Sequence, residues 1–233
     1  MVKKIFEKMF NSAMDLNKMN ILSMLEPNTD AKLLDLGCND GVWTTELANA
    51  AGTKNIYGIE IVEERIKLSK EKGIIVQSGD LNESFPFEDS MFDIIHANQV
   101  IEHIAYLDAF ILEIYRVLKP GGYVIISTEN GSSWHNIFAS IAGWQIFSLT
   151  NMTYKRLGMG NPLAIHRSGA LDIGLSSWTH KTIFNYLGLK EFIEAYDFHN
   201  ITIKGSGYYP LPASLGKLDV RHAHFITIKG YKR

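Results

Sequence analysis

The run Asp35-Leu36-Gly37-Cys38-Asn39-Asp40-Gly41 closes a short apolar stretch and opens a helical one, the pattern of a ligand-binding turn. Glycine lets a ligand approach the backbone, and the free N–H groups of a helix start favour an anionic or nucleotide-like partner. A dinucleotide would need glycines two and five residues past Gly37, where the chain has Asn39 and Val42. A nicotinamide or flavin site is therefore disfavoured. Two carboxylates follow at later strand ends. Glu60 lies 19 residues past Gly41 and can accept a hydrogen bond on each oxygen from a diol, a solvated acid being the alternative. Asp80, in Gly79-Asp80-Leu81, is the second. For proton transfer the chain offers histidines. His103 follows a strand in Asn98-Gln99-Val100-Ile101-Glu102-His103, and its alternative is to cap or pack a helix start. His135, His166 and His180 lie in or beside a polar-aromatic stretch with Trp134 and Trp178, and Tyr209 follows later. Such a mixture suits a pocket for a hydroxylated small molecule, with plain packing as the alternative. Cys38 is the sole cysteine, which excludes a disulfide within the chain and a cysteine-based zinc site.

The elements that must position these residues alternate. Apolar residues at helical spacing from Ile5 to Leu25 predict one or two amphipathic helices that stop before Pro27. Strands are expected at 32–36, 55–60, 74–77, 92–97 and 123–127, the last delivered by a turn at Pro120-Gly121-Gly122. Helices are expected at 42–51, 63–72 and 107–118 between them. This rhythm builds a parallel sheet with helices on both faces, and it sets Gly37, Glu60, Asp80 and Asn98 at the carboxyl ends where such sheets bind ligands. After Glu129 the rhythm breaks into a partly helical insertion, 131–178. Beyond it a helix over 179–187 begun by a Thr179 cap, a strand over 189–195 and an alternating final strand over 224–229 are expected.

The turn at Asp35–Gly41 resembles motif I of class I S-adenosylmethionine-dependent methyltransferases, an acid and an apolar residue followed by GxGxG. Gly37 and Gly41 match, while Asn39 replaces the middle glycine and is the residue that best tolerates a left-handed backbone there. Glu60, Gly79-Asp80-Leu81, Phe85-Pro86-Phe87 with Phe92-Asp93-Ile94-Ile95, and Val117-Leu118-Lys119-Pro120-Gly121-Gly122 follow in that family's order. The likeness covers about Leu33 to Thr128 and is to the type-11-like, ubiquinone- and menaquinone-biosynthesis group. It implies an α/β Rossmann-like three-layer sandwich, a mostly parallel seven-stranded sheet with an antiparallel last strand. It also implies that Asp35, Gly37, Asn39, Gly41, Glu60, Ile61, Asp80, Leu81 and Asn98 bind S-adenosyl-L-methionine, with S-adenosyl-L-homocysteine as product. The segment ending at His103 is similar to the E-x-x-E-H element of quinone O-methyltransferases, which can hold a divalent metal; Gln99 replaces its first acid, so no metal is expected.

The implied function is methyl transfer to a small-molecule acceptor, with His103 as the candidate base and Trp134, His135, His166, Trp178 and Tyr209 facing the acceptor. A protein or RNA acceptor and a non-catalytic binding module are the alternatives. A net charge of −2 disfavours a nucleic-acid partner. No apolar run nears the roughly 20 residues of a membrane span, and charge within Met1–Lys8 replaces a signal peptide's apolar stretch. One domain is expected: a helical cap at 1–30, a cofactor core at 31–130, the insertion, and C-terminal strands at 179–233, as a cytoplasmic monomer or homodimer.

Overall fold

The computed structural model describes residues 2–164 and 178–233, with side chains from Glu7 onward. The elements run α1 (Val2–Leu22), β1 (Lys32–Leu36), α2 (Val42–Ala51), β2 (Asn55–Glu60), α3 (Glu63–Glu71), β3 (Ile75–Ser78), β4 (Phe92–Asn98), α4 (Leu107–Val117), β5 (Leu118–Glu129), α5 (Trp134–Ile141), α6 (Tyr186–Ala195), β6 (Phe198–Ser206) and β7 (Phe225–Lys232). They form one seven-stranded sheet in the order β3-β2-β1-β4-β5-β7-β6. β1 to β5 pair in parallel, and β7 enters antiparallel between β5 and β6. This is the Rossmann-like methyltransferase topology expected from the sequence.

Strand alternation sorts the core into two layers. Leu33, Ile94, Tyr123 and Ile125 pack on one face against Ile21, Met24 and Leu25 at the end of α1 and Leu47 and Ala51 of α2. Leu34, Leu36, Ile95, Ala97, Val124 and Ile126 face the other way, onto α4 through Phe110, Ile111 and Ile114 and onto α6 through Leu189 and Ile193. Strand order reverses between β1 and β4, so a crevice opens over their carboxyl ends, the usual ligand position in open α/β sheets.

Three readings need correction. The strand expected at 189–195 is helical and belongs to α6, and the helix expected at 179–187 begins only at Tyr186, without a Thr179 cap. Leu189, Phe192, Ile193 and Tyr196 recur at helical, not alternating, spacing, and Leu189 and Ile193 are buried on that face. The sheet partner is instead β6, whose ladder shifts register between His199 and Thr202. Lys119-Pro120-Gly121-Gly122 is not a free turn before β5 but its irregular first part: Leu118 pairs with Phe92, the next pair is Tyr123 with Ile94, and Gly121 takes φ +79° in the shift. Finally, the one or two helices expected over 5–25 are the single helix α1, as the spacing allowed, but Met19, expected on its apolar side, faces outward, and its buried side includes Asn17 and Asn20. Among the described residues no helix is long and apolar enough to cross a membrane.

Candidate functional site

The β1 turn is built on left-handed backbone. Gly37, Asn39 and Gly41 take φ of +71°, +52° and +78°, so the asparagine does occupy a glycine-like conformation. A Cβ on Gly41 would lie 2.5 Å from Ile74 Cδ1 and 3.1 Å from Ser69 Cα, so this glycine lets the turn seat on α3. The Asp35 carboxylate is buried under the turn. One oxygen takes the Thr44 hydroxyl at 2.6 Å and the other meets His96 Nδ1 at 2.7 Å, which ties β1 to α2 and β4. Asp35 and Gly41 therefore brace the turn from below, and neither lines the cleft above it. Cys38 is also buried, and desolvation with the nearby Asp35 charge pushes its thiol up to about 12, so it is no nucleophile.

Gly37, Asn39, Glu60, Ile61, Asp80, Leu81 and Asn98 all line that cleft, of about 330 Å³, which also takes in Arg65, Gln99, His103 and Trp178. Glu60 is 6% exposed. Its Oε2 accepts from Asn39 N–H, and its Oε1 from Ile61 and Val62 N–H, each at 2.9 Å. One carboxylate thus fixes the turns after β1 and β2 together. Ile61 holds its side chain 49% exposed beside it. Asp80 is exposed and accepts from the Asn82 backbone and side-chain N–H groups at 2.9 and 2.8 Å. Asn98 is anchored from behind: its Oδ1 accepts from Asn17 Nδ2, and Asn17 Oδ1 accepts from the Ser127 and Thr227 hydroxyls. Gln99 was not foreseen. It sits at φ +55°, and its Nε2 is buried with no hydrogen-bond partner among the described residues.

His103 ends a 3-10 turn, Ile101–His103, at the cleft's inner end. Its Nδ1 lies 3.3 Å from the Thr179 carbonyl, and burial with the neighbouring His180 and Lys181 lowers its pKa to about 4. Beside it, Glu102 is buried and accepts the Thr128 hydroxyl, and desolvation raises its pKa to about 8. Ligand atoms of Glu102, His103 and His180 lie within 4.8 Å of one another, a grouping tight enough to hold a metal in principle. At neutral pH this Glu102 is a neutral acid, which weakens it as a ligand.

A second, mostly apolar cavity of about 370 Å³ adjoins the cleft, and Trp178 lines both. Its walls include Phe10 of α1, Phe147, Leu157 and Leu163, and its polar side is made by Glu129, His135, His180, Tyr209 and His224. Glu129 is half-buried, and desolvation on its own would raise its pKa, but His224 at 3.8 Å and the His180 charge outweigh this and hold it at about 2. His135 is neutral because burial lowers its pKa well below the usual range. Burial pushes Tyr209 up, and its hydroxyl has no hydrogen-bond partner among the described residues.

His135, Trp178 and Tyr209 of the sequence-derived acceptor set thus share this cavity. Trp134 does not: its indole N–H donates to Tyr208 Oη at 2.7 Å and its ring stacks on His222 at the surface. His166 lies outside the described residues. Glu129, His224, Phe10 and Phe147 escaped the sequence reading, because residues 10, 129, 147 and 224 meet only when α1, the insertion and the β6–β7 connection close over the sheet.

Residues 34–126 match the family described as Methyltransferase domain. The mouse ubiquinone biosynthesis O-methyltransferase is 33% identical over 114 residues, which are 45% of this chain and 30% of that protein, well under half its length. The demethylmenaquinone methyltransferase of Staphylococcus aureus (strain MRSA252) is 29% identical over 182 residues, 74% of this chain and 70% of that protein. Among solved structures, a Thermotoga maritima S-adenosylmethionine-dependent methyltransferase, described as a possible histamine N-methyltransferase, shares the fold with a TM-score of 0.63 at 16% identity. That match covers 100% of both chains.

Proposed function

We propose that this chain, whose residues 34–126 are a methyltransferase domain of the S-adenosylmethionine-dependent kind, moves a methyl group onto an oxygen of a small-molecule acceptor, a sugar-, lipid- or quinone-like compound. The observation that carries this reading is the junction of two cavities at Trp178, one polar and set over the β1 turn, the other mostly apolar with one polar side. The first suits the donor. Ile61 and Leu81 offer apolar faces to a base, Glu60 and Asp80 offer acceptors to ribose hydroxyls and an amino group, and the Gln99 Nε2, without a partner among the described residues, is a donor for a carboxylate. Gly37 and Asn39 bring backbone, without bulk, to the same wall.

Bound there, S-adenosylmethionine supplies a methyl group already activated on a sulfonium and leaves as S-adenosylhomocysteine. The protein has two remaining tasks, to hold an acceptor oxygen at roughly 3–3.5 Å in line and to accept its proton. The second cavity serves the first task, with His135, Trp178 and Tyr209 against the acceptor and His166 assigned there from sequence alone. Its apolar walls fit a ring or chain, and its polar side fits hydroxyl or carbonyl groups. The likeness to the mouse ubiquinone biosynthesis O-methyltransferase and the staphylococcal demethylmenaquinone methyltransferase supports the same reading, toward quinone chemistry. His103 stands at the seam, but a pKa of about 4 makes it a weak proton acceptor. The setting is read as cytoplasmic from the lone, unpaired Cys38.

Calorimetry with S-adenosylmethionine and S-adenosylhomocysteine tests the donor, and absence of binding at millimolar concentration would end the proposal. Transfer of labelled methyl to catechol, hydroxyquinol, fatty-acid and sugar panels tests the acceptor class. Transfer only to protein or RNA would refute that part.

A further inference from the structure

We infer that His180 is the catalytic base of the transfer, taking the acceptor's hydroxyl proton on Nε2. The inference rests on reading the second cavity as the acceptor site.

The argument begins with the tautomer. His180 Nδ1 lies 2.6 Å from the Ser148 carbonyl, and a carbonyl can only accept, so Nδ1 carries the proton. In the neutral ring Nε2 then keeps its lone pair. Ser148 is itself fixed, because its hydroxyl accepts from Asn136 Nδ2 at 2.9 Å and Asn136 Nδ2 also donates to the Asn130 carbonyl. From the other side, Lys181 N–H donates to the Glu102 carbonyl at 2.7 Å, and Lys181 Nζ to the His103 carbonyl at 2.7 Å. The ring is thereby pinned between the two cavities: it lines the second, and it meets His103, which lines the first, edge-on at 4.8 Å between centroids. Among the described residues no other histidine combines these. His103 is desolvated and barely basic, desolvation lowers the pKa of the half-buried His135 well below the usual range, and His224 is turned to Glu129.

The groups facing His180 are His103 and Glu102 from the turn after β4, Glu129 from the end of β5, and Lys181 beside it, with His135 and His224 across the cavity. Of these Glu129 is the carboxylate that stays ionised, whereas Glu102 is protonated at neutral pH. In the step, the acceptor oxygen forms the new C–O bond while the methyl carbon's bond to sulfur breaks with its electron pair left on sulfur. The hydroxyl proton passes to Nε2, and the positive charge lost from sulfur reappears on the imidazolium until water removes the proton.

The test uses the full chain labelled with ¹⁵N-histidine, followed by NMR from pH 5 to 9, with the His180 signals assigned by their loss in His180→Asn. The expected spectrum is the Nδ1–H tautomer in the neutral form. An Nε2–H tautomer overturns the inference without any acceptor in hand. His180→Asn keeps a donor for the Ser148 carbonyl while deleting Nε2. With a catechol probe it should lower kcat by roughly 10²- to 10⁴-fold, flatten the pH profile, and leave affinity for S-adenosylhomocysteine within about twofold. Near-native kcat refutes the role of His180 alone. Loss of S-adenosylhomocysteine binding by the unmutated protein refutes the methyltransferase reading instead. Activity removed by a chelator and restored by zinc would make His180 a ligand and overturn the inference.

Discussion

Glu60→Gln isolates the most economical contact in the cleft. The native carboxylate accepts three backbone N–H groups, Asn39 on Oε2 and Ile61 and Val62 on Oε1. Glutamine keeps the shape and one oxygen. With that oxygen kept on Ile61 and Val62, the amide NH₂ faces the Asn39 N–H, donor against donor. The opposite flip sacrifices two bonds instead of one, so the first arrangement is the cheaper. The loss is then one charged hydrogen bond, about 1.5–3 kcal/mol, with little solvent to replace it. For a chain of this size about 2 kcal/mol lowers the Tm by roughly 4–8 °C. Asn39 is also released from the pin that holds its left-handed turn, and an acceptor for the donor's ribose disappears. Affinity for S-adenosylhomocysteine should therefore fall between tenfold and about a hundredfold, 1.4 kcal/mol per tenfold. Calorimetry reads the affinity and a thermal melt reads the fold. A variant that binds within threefold of the native protein would refute the ribose assignment. One with an unchanged melt would refute the claim that Glu60 joins the two turns.

Gly41→Ala places a Cβ against Ile74 and Ser69 at φ +78°, so left-handed strain and overpacking together should cost roughly 2–5 kcal/mol in urea unfolding; a loss under 1 kcal/mol contradicts the close seat on α3. Glu102, with a folded pKa of about 8 against an ordinary 4.5, binds its proton more tightly folded than unfolded. Its contribution to stability is full below about pH 4.5 and is lost as pH rises to about 8, so Glu102→Gln should remove part of the native protein's loss of stability between pH 5 and 9. Parallel pH curves for the two proteins would show that the carboxyl is not protonated in the fold. Tyr209→Phe removes a buried hydroxyl that has no partner among the described residues, so the melt should hold or rise slightly while KM for a catechol probe rises several-fold. A fall in stability with KM unchanged would give that hydroxyl a structural role.

Much of the donor side is legible in the chain because it is local. The strand–turn–helix at 32–51, the asparagine that accepts φ +52°, and the acids at the ends of β2 and β3 are each set within about ten residues by periodicity and backbone sterics. Their order along the chain then fixes which strand ends they crown. What sequence spacing could not separate is a residue in a ligand-binding turn from one that supports it. Asp35 and Gly41 belong to the motif as fully as Gly37 does, yet the fold turns them into the core, where Thr44, His96 and Ile74 meet them.

The acceptor side depends on distance in sequence. Its polar wall joins Glu129, His135, His180, Tyr209 and His224, and an apolar wall comes from Phe10, so no window of the chain contains it. The stretch 179–195 was misread for a related reason, though the final strand expected over 224–229 is β7: a short apolar run such as 189–195 suits helix or strand, and only the side it packs on, under β6 and β7, decides. By itself, then, the sequence determined a parallel α/β sheet, the turn and acids that suit a methyl donor, and a chain without the cysteines for a disulfide or thiolate metal site. The tertiary structure alone decided which histidine stands between the two cavities with its Nδ1 proton fixed, because that depends on the Ser148 carbonyl, 32 residues away along the chain, being brought to 2.6 Å.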